Sequence, residues 1–200
     1  INQWRLDAYV EDLATVISKM PPQPVLIGHS VGGAVVQKYI EKHSAPAAIL
    51  LASSPVTHVM STTLRMAMKH PASYIRLLFT HNMQHALKML EASFFSSDMP
   101  DEKARGYLNR MEKESYRAFL DIILLNKPKP PKPGIPMLVV GGERDTSIPI
   151  QANRDLAKAC NTSLETFPIA HEMMLDINWE LVARRVVSWL STKFPYADKS

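Results

Sequence analysis

Cysteine occurs once in the 200 residues, at position 160, so no internal disulfide can form and a zinc site built on several thiolates is excluded. No apolar run approaches the roughly 20 residues that a membrane-crossing helix needs, and no secretory signal is recognisable, so a soluble, cytoplasmic protein without stable membrane insertion is expected. Charge of one sign is not concentrated either. The formal net charge is +4, yet bases alternate with acids, as in Asp101-Glu102-Lys103-Ala104-Arg105 and Glu112-Lys113-Glu114. The single basic cluster, Lys127, Lys129 and Lys132, is interleaved with Pro128, Pro130, Pro131 and Pro133, the pattern of a solvated, semi-rigid connector. No nucleic-acid partner is expected, and any pull toward an anionic lipid surface should be weak. What remains is an ordinary globular composition, 46% apolar, able to bury one substantial core.

The pattern along the chain alternates. Leu6, Tyr9, Val10, Leu13, Val16, Ile17 and Met20 recur at helical spacing up to Pro21-Pro22. Short apolar runs at 25–27, 47–52, 137–140 and 164–169 read as strands, and between them helices are expected at about 31–41 and 150–159. A last helix should bury Trp179, Val182, Val186 and Trp189 on one face. Strand–helix alternation of this kind gives a parallel, doubly wound α/β sheet of about four strands. The run Val25-Leu26-Ile27 is apolar on both faces, which suits a central strand and is hazardous at an open edge. Between Pro55 and Pro133 the alternation stops, and helices are expected at about 59–69, 72–79, 84–91, 101–112 and 115–125.

One junction carries chemistry. Gly28-His29-Ser30-Val31-Gly32 joins the first strand to the following helix, placing a serine at the apex of a sharp turn, with the Val31 amide at a helix N-terminus. Gly28 and Gly32 are expected to leave room where a Cβ would collide, and Gly33 to let the helix approach the sheet. The bland alternative is a glycine-rich turn that contains a serine. A serine hydroxyl needs a base and a group that orients the base. Asp145, in Gly141-Gly142-Glu143-Arg144-Asp145, follows the third strand, where a turn or helix-capping role competes with an orienting one. His171 leaves the end of the fourth strand. His29 should point away from the serine, while His43 ends a helix and His58, His70, His81 and His85 have no strand beneath them. Glu172, Asp176 and Trp179 read as loop-ordering and core groups, with Asp176 capping the last helix.

The order serine, aspartate, histidine, each after its own strand, resembles the α/β-hydrolase family, and in particular its lysophospholipase and monoacylglycerol-lipase-like branch. The resemblance rests on Gly28-His29-Ser30-Val31-Gly32-Gly33, on Gly142-Glu143-Arg144-Asp145 with Pro149, and on the stretch 171–179. It implies a core of residues 1–54 and 134–200 with a helical cap and Pro-rich connector at 55–133. It implies Ser30 as nucleophile, His171 as general base, Asp145 as its orienter and the Val31 N–H as one oxyanion donor. The substrate would be a small or lipid-like carboxylic ester, with no cofactor and no metal.

The family's sheet has more strands than are legible here, and its second oxyanion donor comes from an early loop that no residue of this sequence matches. The chain is therefore expected to be a fragment lacking the upstream half, poorly folded or aggregation-prone alone and a weak catalyst. Seven of the eleven methionines, Met60, Met66, Met68, Met83, Met89, Met99 and Met111, lie in the cap region, as do Phe94-Phe95 and Leu77-Leu78-Phe79. They could line an acyl site or simply pack the cap together. Two other outcomes stay open: an acyltransferase, lactonase, carbon–carbon hydrolase or cofactor-free haloperoxidase on the same scaffold, and a non-catalytic binding protein.

Overall fold

The computed structural model describes residues 3–53, 68, 71–80, 94–112, 114–131 and 133–195. The expected helices at 59–69 and 84–91 lie outside this set, apart from Met68. The amphipathic opening segment forms α1, Leu6–Ile17. Then follow β1 (Leu26–His29), α2 (Val31–Ile40) and β2 (Ala48–Leu51). Helices α3 (Pro71–Thr80), α4 (Asp101–Leu108) and α5 (Tyr116–Leu120) come next, and α5 runs into a π-helical turn, Asp121–Leu125. The chain returns to the sheet with β3 (Met137–Gly142), α6 (Ile150–Ala159), β4 (Leu164–Phe167) and α7 (Trp179–Lys193).

All three strand pairings are parallel, in the order β1-β2-β3-β4. Parallel neighbours require crossovers, and the helices that make them cover both faces of the sheet. On one face Leu26, Ala48, Leu50, Met137 and Val139 pack with Val36, Tyr39 and Ile40 of α2, Ile17 of α1 and Leu156 of α6. On the other, Ile49, Leu51, Leu138 and Val140 pack against Ile169, Met173, and Val182 and Trp189 of α7. The alternation along β2 decides the split, since successive side chains of a strand point to opposite faces.

One expectation changes. Trp179 does not continue the buried face of α7: it is 44% exposed, because it sits at the helix N-terminus beyond the edge of the sheet contact, whereas Val182 and Trp189 are buried. The open edge that makes an apolar run hazardous is found at β1, which ends the sheet with no strand on its outer side among the described residues, and Ile27 is 53% exposed. Among the described residues no helix is long and apolar enough to cross a membrane.

Leu50 is fully buried at the centre of the α2-side core. Leu50→Ala should cost about 2–5 kcal/mol of unfolding free energy in a denaturant titration; a cost below about 1 kcal/mol would mean that this layer is not the core.

Candidate functional site

Because the strands are parallel, their C-terminal ends share one rim, and the loops leaving β1, β3 and β4 meet there. Ser30 follows β1 directly. Its N–H donates to the Leu51 carbonyl at 3.0 Å, extending the pairing with β2, and its φ of 49° turns the chain sharply into α2. A positive φ at a non-glycine residue costs on the order of 1–3 kcal/mol, which the packed strand and helix on either side sustain. The turn is tight enough that a Cβ on Gly28 would come within 2.6 Å of the Gly32 carbonyl oxygen, and one on Gly33 within 2.1 Å of Ser53 Oγ. Gly32 is different. A Cβ there would meet nothing within 4 Å, so the expected steric need for glycine holds at Gly28 and Gly33 only.

The acid and histidine loops are locked to each other by backbone bonds. Glu143 N–H donates to Phe167 O at 2.9 Å, and Arg144 N–H to Ile169 O at 3.1 Å. This brings Asp145 Oδ2 to 2.8 Å from His171 Nδ1, while His171 Nε2 lies 3.0 Å from Ser30 Oγ. Asp145 Oδ1 accepts the N–H groups of Ser147 and Ile148 at 2.8 and 2.9 Å, so the carboxylate orders its own turn with one oxygen and the imidazole with the other. A carboxylate accepts only, so Nδ1 carries the proton and Nε2 presents its lone pair to the serine hydroxyl.

The electrostatics make the imidazole easier to protonate than usual. Burial, the largest influence, disfavours the cation at His171, but the hydrogen bond and charge of Asp145, joined by the charge of Glu172, outweigh it and raise the pKa above the usual 6.5. Glu172 is itself raised by burial. His29 behaves oppositely: burial first, and the neighbouring His171, lower its pKa to about 4. It is therefore neutral at pH 7.

His29 does more than avoid the serine. Its Nε2–H donates to the His171 backbone carbonyl at 2.9 Å, and the two rings lie 4.9 Å apart. Asp176 orders the loop, as expected, but not by capping the helix. It does not cap α7, whose N-cap is Asn178; its carboxylate instead accepts from Ala170 N, Ile177 N and both donors of Ser96. Phe94 stacks on the His171 ring with centroids 5.8 Å apart. Phe94 and Phe95 also form a small core with Met99, against which Met111 packs, whereas Met68 and Phe79 are exposed. The loop-ordering role of Asp176 was read from the sequence; its partner Ser96, 80 residues upstream, was not.

Among the described residues, His29, His171 and Glu172 form the set whose ligand atoms crowd within 4.8 Å of one another. Both ring nitrogens of His171 and Nε2 of His29 already have hydrogen-bond partners, so this cluster is accounted for by proton handling. The lone thiol, Cys160, lies away from the rim and is pushed up to about 12 by burial, which makes it a poor nucleophile.

A family model described as serine aminopeptidase, S33, matches residues 2–178. The chain belongs to this family of α/β-hydrolases. No curated protein matches it. Among solved structures it is similar to BpoC of Mycobacterium tuberculosis, provisionally described as a non-heme bromoperoxidase, with TM-score 0.71, 17% identity and coverage of 96% of this chain and 76% of that one. A monoacylglycerol lipase from Paleococcus ferrophilus gives TM-score 0.65 and 18% identity over 96% of this chain and 77% of that chain. A thermophilic esterase gives 0.66 and 23% over 97% and 76%. At these identities the likeness establishes the α/β-hydrolase fold.

The titration of His171, followed by proton NMR, should have its midpoint above 6.5, and Glu172→Gln should move it downward by removing a charge that favours the imidazolium. A midpoint at or below 6.5, or one indifferent to Glu172→Gln, would contradict these electrostatics.

Proposed function

We propose that this α/β-hydrolase cleaves carboxylic esters through an acyl-serine intermediate, with Ser30, His171 and Asp145 as its triad. The observation that carries the reading is the continuous relay from Asp145 Oδ2 to His171 Nδ1 at 2.8 Å and from His171 Nε2 to Ser30 Oγ at 3.0 Å. Ser30 Oγ attacks the ester carbonyl as its proton passes to His171 Nε2, and Asp145 stabilises the imidazolium that results. The Val31 N–H, first of α2 and next in the chain to Ser30, serves in this reading as a donor to the developing oxyanion. As the tetrahedral species collapses, His171 returns the proton to the leaving alcohol. Water then enters, gives a proton to His171 and attacks the acyl-serine; as this second tetrahedral species collapses, His171 returns the proton to Ser30 Oγ and the acid leaves. The steps call on no metal or organic cofactor.

For the acyl group we favour lipid-like or small apolar chains. Similar folds include a lipase and an esterase, and the base has an apolar neighbour in Phe94, which stacks on the His171 ring. Residues 55–133 serve in this reading as a cap, since 94–96 reach over the histidine loop. The fold likeness to the bromoperoxidase-described BpoC supports a second reading, in which peroxide replaces water as acceptor at the same acyl-enzyme.

A chain-length series of nitrophenyl esters and monoacylglycerols tests the proposal. Hydrolysis should rise with pH as His171 loses its proton, and Ser30→Ala or His171→Ala should each lower kcat by about 10⁴–10⁶-fold. Failure of the native chain to cleave any of these esters, or variants within tenfold of it, would remove the reading.

A further inference from the structure

We propose that Asp176 is a positioning residue for His171, holding the base in register by tying it to segment 94–96, which the chain contributes from between β2 and β3. The proposal rests on the triad reading above. Asp176 is fully buried, and its partners are N–H and O–H donors from both sides of a loop junction. Oδ2 accepts Ala170 N–H at 3.0 Å, Ser96 N–H at 3.1 Å and Ser96 Oγ–H at 2.6 Å, and Oδ1 accepts Ile177 N–H at 2.8 Å. A buried carboxylate is sustained only where its lone pairs are met, and here they are met by the residue that precedes His171 and by a residue 80 positions away.

The other side of the histidine is held by the same segment. Glu172 N–H donates to the Phe94 carbonyl at 2.8 Å, and the Phe94 ring stacks on the imidazole. Segment 94–96 thus bonds to, or through, the residues on both sides of His171. Asp145 fixes the rotation of the ring about its Nδ1 contact, but it does not fix the backbone from which the ring hangs. That backbone is set by Ala170 N–H on Asp176, by Glu172 N–H on Phe94, and by the His171 carbonyl on His29. Displacing the base by about 1 Å costs on the order of 10²-fold in rate when geometry carries catalysis. Any movement of segment 94–96 is consequently felt at the base.

Asp176→Asn keeps the shape but turns at least one acceptor into a donor facing an N–H or O–H donor, and Ser96→Ala removes one bond to the same carboxylate. In Asp176→Asn, kcat should fall about 10–100-fold with KM within about threefold of the native value, and the low-field Nδ1 proton signal of His171 should shift or vanish. Ser96→Ala should move both readouts in the same direction by less. A purely structural Asp176 would lower the denaturation midpoint and leave kcat of the folded protein and the His171 signal unchanged, which would overturn the proposal. If Asp176→Asn does not fold, Ser96→Ala decides by the same two readouts. The NMR signal needs no substrate: a native chain inert to esters whose His171 signal still responds to Asp176→Asn would sink the hydrolase reading and leave the positioning role standing.

Discussion

The bond between Asp145 Oδ2 and His171 Nδ1, both groups almost wholly buried, sets the state of everything around it. An imidazole withdrawn from water resists protonation and has two tautomers to choose between. The carboxylate removes both freedoms: it accepts a hydrogen bond from Nδ1–H, so Nε2 must face Ser30 as an acceptor, and it makes the ring easier to protonate. Asp145 can do this because its second oxygen is engaged by the N–H groups of Ser147 and Ile148, which stop the carboxylate from turning away.

That bond in turn depends on the sheet. Pairing of Gly142 with Phe167 aligns the ends of β3 and β4, and the loop bonds from Glu143 and Arg144 continue the ladder to the point where the acid and the histidine meet. On the far side of β2, the Ser30 N–H on Leu51 O does the same for the serine. The fully buried residues of β2 hold the two halves at a fixed separation. The burial that stabilises the core and the geometry that aligns the relay are therefore the same packing, and a slip in strand register would break both.

The sequence made the parallel sheet, the strand ends and the three rim residues legible because each is a local pattern: apolar runs of strand length, glycines around a serine, and polar loops at the ends of strands. The start of α7 was misread for a local reason too. Helical periodicity placed Trp179 on the buried stripe, but periodicity does not say where along a helix the sheet contact stops. Gly32 was grouped with Gly28 and Gly33 by motif, although open space above it means that no steric demand exists. The bonds of Asp176 and His29 were illegible for a different reason. Their partners, Ser96 and the His171 carbonyl, are 80 and 142 positions away, and only the folded chain brings them together. Phe94 and Phe95 were ambiguous between core and site; the fold buries both with Met99, and Phe94 also stacks on the imidazole.

The most direct test of a primed serine is covalent. The native chain, treated with a fluorophosphonate and mapped by tandem mass spectrometry, should carry a single phosphonyl adduct on Ser30, formed faster as the pH rises and His171 becomes neutral. Absence of an adduct, or modification spread over other hydroxyls at a rate indifferent to pH, would contradict a relay from Asp145 through His171 to Ser30.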